Sequence, residues 1–109
     1  MNRFVNIVRK TNKINIVEVG ARDGLQGENP ISKKLRIKFI NKLSNCGFRQ
    51  IESGSLVKLK SMENSDQVYN SIKKYENSEY PLLVLNKKGA EKAAKIKAKY
   101  ISIVISPSN

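Results

Sequence analysis

Ile14-Asn15-Ile16-Val17-Glu18-Val19 is a β-branched run that stops at Gly20 and gives way to Ala21-Arg22-Asp23-Gly24-Leu25-Gln26. A short apolar run closed by glycine predicts a strand, the first of the chain. The glycine-, asparagine- and proline-containing stretch from Gly20 to Pro30 reads as a loop. Beyond it, Ser32 is placed to cap a first helix. Leu35, Phe39, Leu43 and Cys46 recur at helical spacing, with Ile40 beside them, and form the expected apolar stripe. Lys33, Lys34, Lys38 and Lys42 fall on the other faces, and Gly47 is placed to end the helix.

The same alternation continues to the end of the chain. Phe48 to Glu52 predicts a second strand, followed by the small residues Ser53-Gly54-Ser55. A second helix is expected to start after Ser61 or Ser65 and to end near Tyr75, with Val68 and Ile72 as its stripe. Pro81-Leu82-Leu83-Val84-Leu85 is continuously apolar, the pattern of a strand buried on both faces. Asn86 is placed to cap a third helix holding Ala90, Ala93, Ala94 and Ile96. Tyr100 to Ile105 predicts the fourth strand, with Pro107 as its stop. The order βαβαβαβ implies an α/β fold with a parallel sheet and right-handed crossovers. Periodicity leaves two architectures open: a small open sheet, or the first half of a TIM (β/α)8 barrel, whose full form takes about 250 residues. Both place chemistry at the C-terminal ends of the strands.

Composition narrows the partners. The 109 residues suit one domain, without an internal linker, and 39% apolar content allows a core. Twenty-one basic against nine acidic side chains give a formal charge of +12. The lysines are spread along the chain and aromatics make up 6%, so a solvated basic surface is expected and nucleic acid is not expected as a partner. Apolar runs fall short of the ~18 residues of a membrane span. Cys46 is the single cysteine, which excludes an intrachain disulfide and agrees with a reducing, cytoplasmic setting. Met1 to Lys13 is basic and free of acids, a composition shared with organelle presequences, but it lacks the apolar core of a secretion signal. Residues 1–12 are read as a lead-in strand or hairpin.

The polar residues that carry chemistry cluster at the predicted strand ends. Arg22, Asp23 and Gln26 follow the first strand, Glu52 and Ser55 the second, and Asn86 the third. An aspartate is a hard oxygen ligand for a divalent cation. An arginine offers a fixed fork of donors to a carbonyl or enolate oxygen. A glutamate on the next strand can hold that arginine or accept a proton. On spacing alone, an Asx-turn at Asp23 with a surface ion pair to Arg22 explains the same residues.

Residues 14–26 resemble the opening motif of the hydroxymethylglutaryl-CoA lyases, within the metal-dependent lyases and synthases that share the pyruvate-carboxyltransferase-like barrel. The similarity continues through Gly47 to Glu52, Ser55, Tyr80-Pro81, Asn86 and Lys88-Gly89. It implies the first half of a TIM barrel, about four strands and three helices, in a single truncated domain over 1–109. It implies Arg22 and Glu52 as catalytic residues, Arg22 on the enolate of acetyl-CoA and Glu52 supporting it. It implies Asp23 as a ligand of Mg²⁺ or Mn²⁺, with Gln26, Ser55 and Asn86 near metal or substrate. The implied reaction is retro-Claisen cleavage of 3-hydroxy-3-methylglutaryl-CoA, an acyl-CoA of leucine degradation, to acetyl-CoA and acetoacetate. The implied full-length protein is a homo-oligomer. The related isopropylmalate and homocitrate synthases tend to carry Thr-Leu-Arg-Asp-Gly-Glu-Gln, so Leu25 and Glu18-Val19-Gly20 favour the lyase. A condensing enzyme, or a basic α/β binding module without chemistry, is the alternative.

Several positions depart from the pattern. Ala21 stands where the lyases usually have proline. Val57 to Asn64 replaces their Pro-Lys-Trp and Pro-Gln-Met sequences, and Val84-Leu85 replaces Thr-Pro. Lys97 sits where glycine would end the third helix, at a cost of about 1 kcal/mol if its φ is positive. The family completes its metal site with two histidines and an asparagine from later strands, and a loop cysteine contributes to catalysis; this chain has no histidine. Cys46 is expected to pack on the first helix instead. A half-barrel is expected to leave its first and fourth strands with unpaired edges, and the isolated chain is expected to be inactive.

Overall fold

The computed structural model describes residues 14–105. The lead-in over 1–12 and the stop at Pro107 lie outside these residues. Five short strands and three helices alternate: β1 (Val17–Glu18), α1 (Lys33–Asn45), β2 (Gln50–Ile51), β3 (Gly54–Ser55), α2 (Ser65–Ser71), β4 (Leu82–Val84), α3 (Lys87–Lys95) and β5 (Ile101–Ile103).

Every pairing is parallel. β1 pairs β2 with Val17 opposite Gln50, β3 pairs β4 with Gly54 opposite Leu82, and β4 pairs β5 with Leu82 opposite Ile101. β2 and β3 are two stretches of one strand path. Between them, the Glu52 amide donates to the Glu18 carbonyl at 2.9 Å and the Ser53 amide donates to the Pro81 carbonyl at 2.9 Å. The path therefore binds β1 on one side and the β4 strand on the other. The small residues Ser53-Gly54-Ser55, expected to follow the strand, continue it. A Cβ on Gly54 would lie 2.6 Å from Ser65 Oγ, so only glycine lets α2 approach this closely.

The core lies between sheet and helices, built from Ala21, Ile40, Ile51, Val68, Tyr69, Ile72, Tyr80 and Leu82. Leu82–Val84 is buried throughout, as its apolar run predicts. Ser32 Oγ accepts from the Leu35 amide at 3.1 Å, and Asn86 Oδ1 accepts from the Gly89 amide at 2.9 Å, so both predicted caps form. Lys97 adopts φ 57°. Ala98 N–H donates to Ala93 C=O and Lys97 N–H donates to Ala94 C=O, both at 3.0 Å, the paired bonds of a Schellman ending.

The buried face of α1 differs from the predicted stripe. Leu35 is 54% exposed and Cys46 is exposed, whereas Arg36, Ile40 and Ser44 are 2%, 0% and 2% exposed. Ile37, Phe39 and Leu43 pack beside them. The helix is turned by about one residue because the long stem of Arg36 fills the space against α2 and its Nη1 and Nη2 find acceptor oxygens there, while Nε is buried without a partner. Cys46 therefore has no packing role in the core. On α3, Ala93 and Gly89 are buried while Ala94 is exposed. α2 ends at Ser71, short of Tyr75, because the Lys73 amide donates to Asn41 Oδ1 of α1 at 2.9 Å and draws the chain away.

The predicted strands are longer than those observed at both edges. Val17 is 42% exposed, and Ile101 and Ile103 are 40% and 62% exposed. Among the described residues, β1 pairs with β2 alone and β5 with β4 alone.

Candidate active site

The loop after β1 is not irregular. Gly20–Gly24 forms a π-helical turn, with the Arg22 and Gly24 amides both donating to the Val19 carbonyl at 3.1 Å. Such turns recur at functional sites because they re-aim a side chain. The turn starts where the Gly20 amide donates to Glu18 Oε1 at 2.6 Å, and a Cβ on Gly20 would meet that oxygen and the Phe39 ring. Ala21 then points into the core at 1% exposure, which leaves Arg22 and Asp23 facing the C-terminal ends of the strands.

Arg22 and Glu52, 30 residues apart, are joined directly. Arg22 Nε donates to Glu52 Oε1 at 2.7 Å, and Arg22 Nη1 donates to Asp23 Oδ1 at 3.3 Å. The Arg22 and Glu52 side chains are 17% and 9% exposed, so this charge-assisted bond is shielded from water. Asp23, at 69% exposure, presents its carboxylate to solvent at the mouth of the site. Gln26 and Ser55 also meet, with Ser55 Oγ donating to Gln26 Oε1 at 3.0 Å.

Asn86 stands apart. Its side chain caps α3 and lines a cleft of about 690 Å³ between the β3–α2 and β4–α3 connections, a wall it shares with Ser55. The structure thus unites Arg22, Asp23 and Glu52, joins Gln26 to Ser55, and leaves Asn86 apart, in the wall of the cleft.

Sequence reasoning missed three contributors. Glu18 fixes the start of the turn. Ser61 Oγ donates to the Gln26 carbonyl at 2.6 Å and ties the β3–α2 connection to the site. Arg36, which the stripe argument passed over, donates from Nη1 to the Glu63 carbonyl at 2.6 Å and from Nη2 to Ser65 Oγ at 2.7 Å. Burial pushes its guanidinium below the usual arginine range. Ser61 and Arg36 act across 27 to 35 residues, so no local pattern singles them out, whereas Glu18 lies within the quoted motif and bonds the amide two residues on.

The HMGL-like family model matches residues 13–109. The chain belongs to the HMGL-like family. It is 42% identical over 95 residues to the mitochondrial hydroxymethylglutaryl-CoA lyase of Macaca fascicularis, covering 84% of this chain and 29% of that relative. Solved structures agree. The hydroxymethylglutaryl-CoA lyase of Pseudomonas aeruginosa superposes with a TM-score of 0.80 at 36% identity, over 84% of this chain and 32% of that one. The enzyme of Acinetobacter baumannii, solved with coenzyme A and 3-methylmalate, gives 0.82 at 33% identity, over 87% and 32%. The chain thus spans under a third of the length of these HMGL-like relatives, and its parallel βα units are part of an α/β barrel.

The family implies a divalent cation. Among the described residues, no group of three or more His, Cys, Asp and Glu is placed to hold a metal ion. Asp23 offers an exposed hard oxygen beside the Arg22–Glu52 pair, a fit for one ligand of Mg²⁺ or Mn²⁺. No helix among these residues is long and apolar enough to cross a membrane.

Proposed function

We propose that the protein works as a hydroxymethylglutaryl-CoA lyase, cleaving 3-hydroxy-3-methylglutaryl-CoA to acetyl-CoA and acetoacetate. The observation that carries this reading is the Arg22–Glu52 bond beside an exposed Asp23. A base takes the proton of the tertiary hydroxyl as the carbon–carbon bond breaks; the hydroxyl oxygen becomes the ketone of acetoacetate, the bond's electron pair moves onto the acetyl thioester as an enolate, and protonation of the enolate carbon gives acetyl-CoA. Arg22, oriented by Glu52, donates to that enolate oxygen in a site where the charge is poorly screened. Asp23 would hold Mg²⁺ or Mn²⁺, which supplies Lewis acidity to the substrate oxygens when bound. Gln26 and Ser55, bonded to each other, would lie near the metal or substrate, and Asn86 would face the substrate from the cleft wall.

The described units form the first half of one barrel domain in this reading, and the protein acts in the cytoplasm as a homo-oligomer. The lone, exposed Cys46 supports the compartment. The 109 residues contain no histidine, so the isolated chain releases no acetoacetate on this reading. The decisive assay is metal-dependent acetoacetate release by the complete natural protein. Cleavage that survives both chelation and Arg22→Gln would refute the assignment.

A further inference from the structure

We propose that Ser61 is a positioning residue of the lyase reaction, holding the Gln26 carbonyl so that the turn carrying Arg22 and Asp23 keeps its aim; the inference rests on the lyase reading above. That turn, Gly20–Gly24, is pinned at its start, where the Gly20 amide donates to the Glu18 carboxylate at 2.6 Å. Its far end is fastened differently. The chain stays helical through Leu25 and Gln26, and the ordinary helical partner of the Gln26 carbonyl is the amide four residues on. That residue is Pro30, which has no N–H to give. Ser61, 35 residues away, supplies the missing donor: its Oγ lies 2.6 Å from the Gln26 carbonyl oxygen.

The donor is itself held firmly. Ser61 is 8% exposed and the adjoining Met62 is 1% exposed, both within a 3-10 turn over Lys60–Met62. Ser65 Oγ donates to the Met62 carbonyl at 2.7 Å, and Arg36 Nη2 donates to Ser65 Oγ at 2.7 Å. Arg36 Nη1 donates to the Glu63 carbonyl at 2.6 Å. Buried Arg36 thus anchors the β3–α2 connection from α1, and Ser61 passes that anchorage on to Gln26. The bond from Ser55 Oγ to Gln26 Oε1 at 3.0 Å fixes the Gln26 side chain but not its backbone, because rotatable side-chain bonds lie between the two.

Arg22 stands four residues before Gln26 and Asp23 three, about one helical turn back. Loss of the Ser61 hydroxyl would free the end of that turn, and a misplacement of about 1 Å at a reacting group costs about 100-fold in rate. Ser61 lies in the stretch Val57 to Asn64, which departs from the Pro-Lys-Trp and Pro-Gln-Met sequences of the lyases. The fastening therefore belongs to this chain's own connection.

Turnover of the complete natural protein with Mg²⁺, assayed well below the melting temperature of every variant, tests this together with hydrogen exchange at the Arg22 and Gly24 amides. Ser61→Ala should lower kcat at least about tenfold while moving KM less than about threefold. It should also speed exchange at both amides, which the parent holds on the Val19 carbonyl. Ser61→Thr, which keeps a hydroxyl, should restore most of kcat and of the protection. A merely structural contact would lower the melting temperature of Ser61→Ala and leave kcat unchanged at the assay temperature; that result would overturn the role and leave the lyase reading standing. A loss of kcat without faster exchange at Arg22 and Gly24 would also overturn it. A parent that releases no acetoacetate would overturn the lyase reading, and this role with it.

Discussion

Arg22 Nε donates to Glu52 Oε1 at 2.7 Å, across a gap that the chain itself closes with the Glu52 amide on the Glu18 carbonyl. The side-chain pair and the backbone bond link the ends of the same two adjacent parallel strands. A shift in register between β1 and β2 would move Glu52 away from Arg22, so strand pairing and the placement of the arginine are one event.

Glu52→Ala should therefore cost about 2–3 kcal/mol of stability, because it leaves a largely buried guanidinium with only its longer bond to the exposed Asp23. Glu52→Gln keeps an acceptor and should cost less. In the complete protein, Arg22→Gln should lower kcat about 10²–10³-fold and should also lower the melting temperature, because it leaves the shielded Glu52 carboxylate without its cation. Denaturant unfolding and turnover assays read these separately.

The two faces of α1 make a direct comparison. Ile40→Ala should destabilise by about 2–4 kcal/mol, since Ile40 is fully buried in the core. Leu35→Ala and Cys46→Ser should each stay within about 1 kcal/mol, because both positions are exposed. Equal losses at Ile40 and Leu35 would contradict the observed helix face.

Gly54→Ala should destabilise by about 1–3 kcal/mol through overpacking against Ser65. Ser65→Ala in the same background should recover part of the loss by removing the nearer oxygen, although it also deprives Arg36 of an acceptor. A double-mutant cycle measures the coupling.

Lys97 holds φ 57° at the Schellman ending of α3. Lys97→Gly should stabilise by about 1 kcal/mol, by relieving the left-handed conformation. For a domain of this size that is roughly a 5 °C rise in melting temperature.

Lys74 gives a pH dependence of known sign. Its ammonium donates to the Tyr69 carbonyl and lies 4.3 Å from the Tyr69 ring centroid. Desolvation holds its pKa in the folded state below the ordinary lysine value. The unfolded chain then binds the proton more tightly, so this group favours folding above the unfolded-state pKa and loses that contribution as pH falls through the folded one. Stability measured against pH in the alkaline range just below 10.5 should rise more steeply in the parent than in Lys74→Gln.

Much of the chain was legible before its structure. Ser32 and Asn86 announced their helices because a cap is a contact between a side chain and an amide three residues on. Leu82–Val84 announced a buried strand because parallel strands are covered on both faces. The motif around Arg22 and Asp23 carried the family. What failed was the choice of face on α1, where counting apolar residues favoured Leu35 and Cys46 and ignored Arg36. The turn at Gly20–Gly24 was read as loop because its hydrogen bonds span five residues and follow no composition rule.

The sequence by itself determined the βα alternation, the helix caps and family membership, since each depends on residues within a few positions of one another or on a contiguous motif. Only the tertiary structure decided that Arg36 is buried and Leu35 is not, that Ser53 to Ser55 continue a strand, and that Gln26 meets Ser55. Those outcomes turn on which surfaces meet across 20 to 30 residues, where one charged side chain with two matched oxygens can outweigh an apolar stripe.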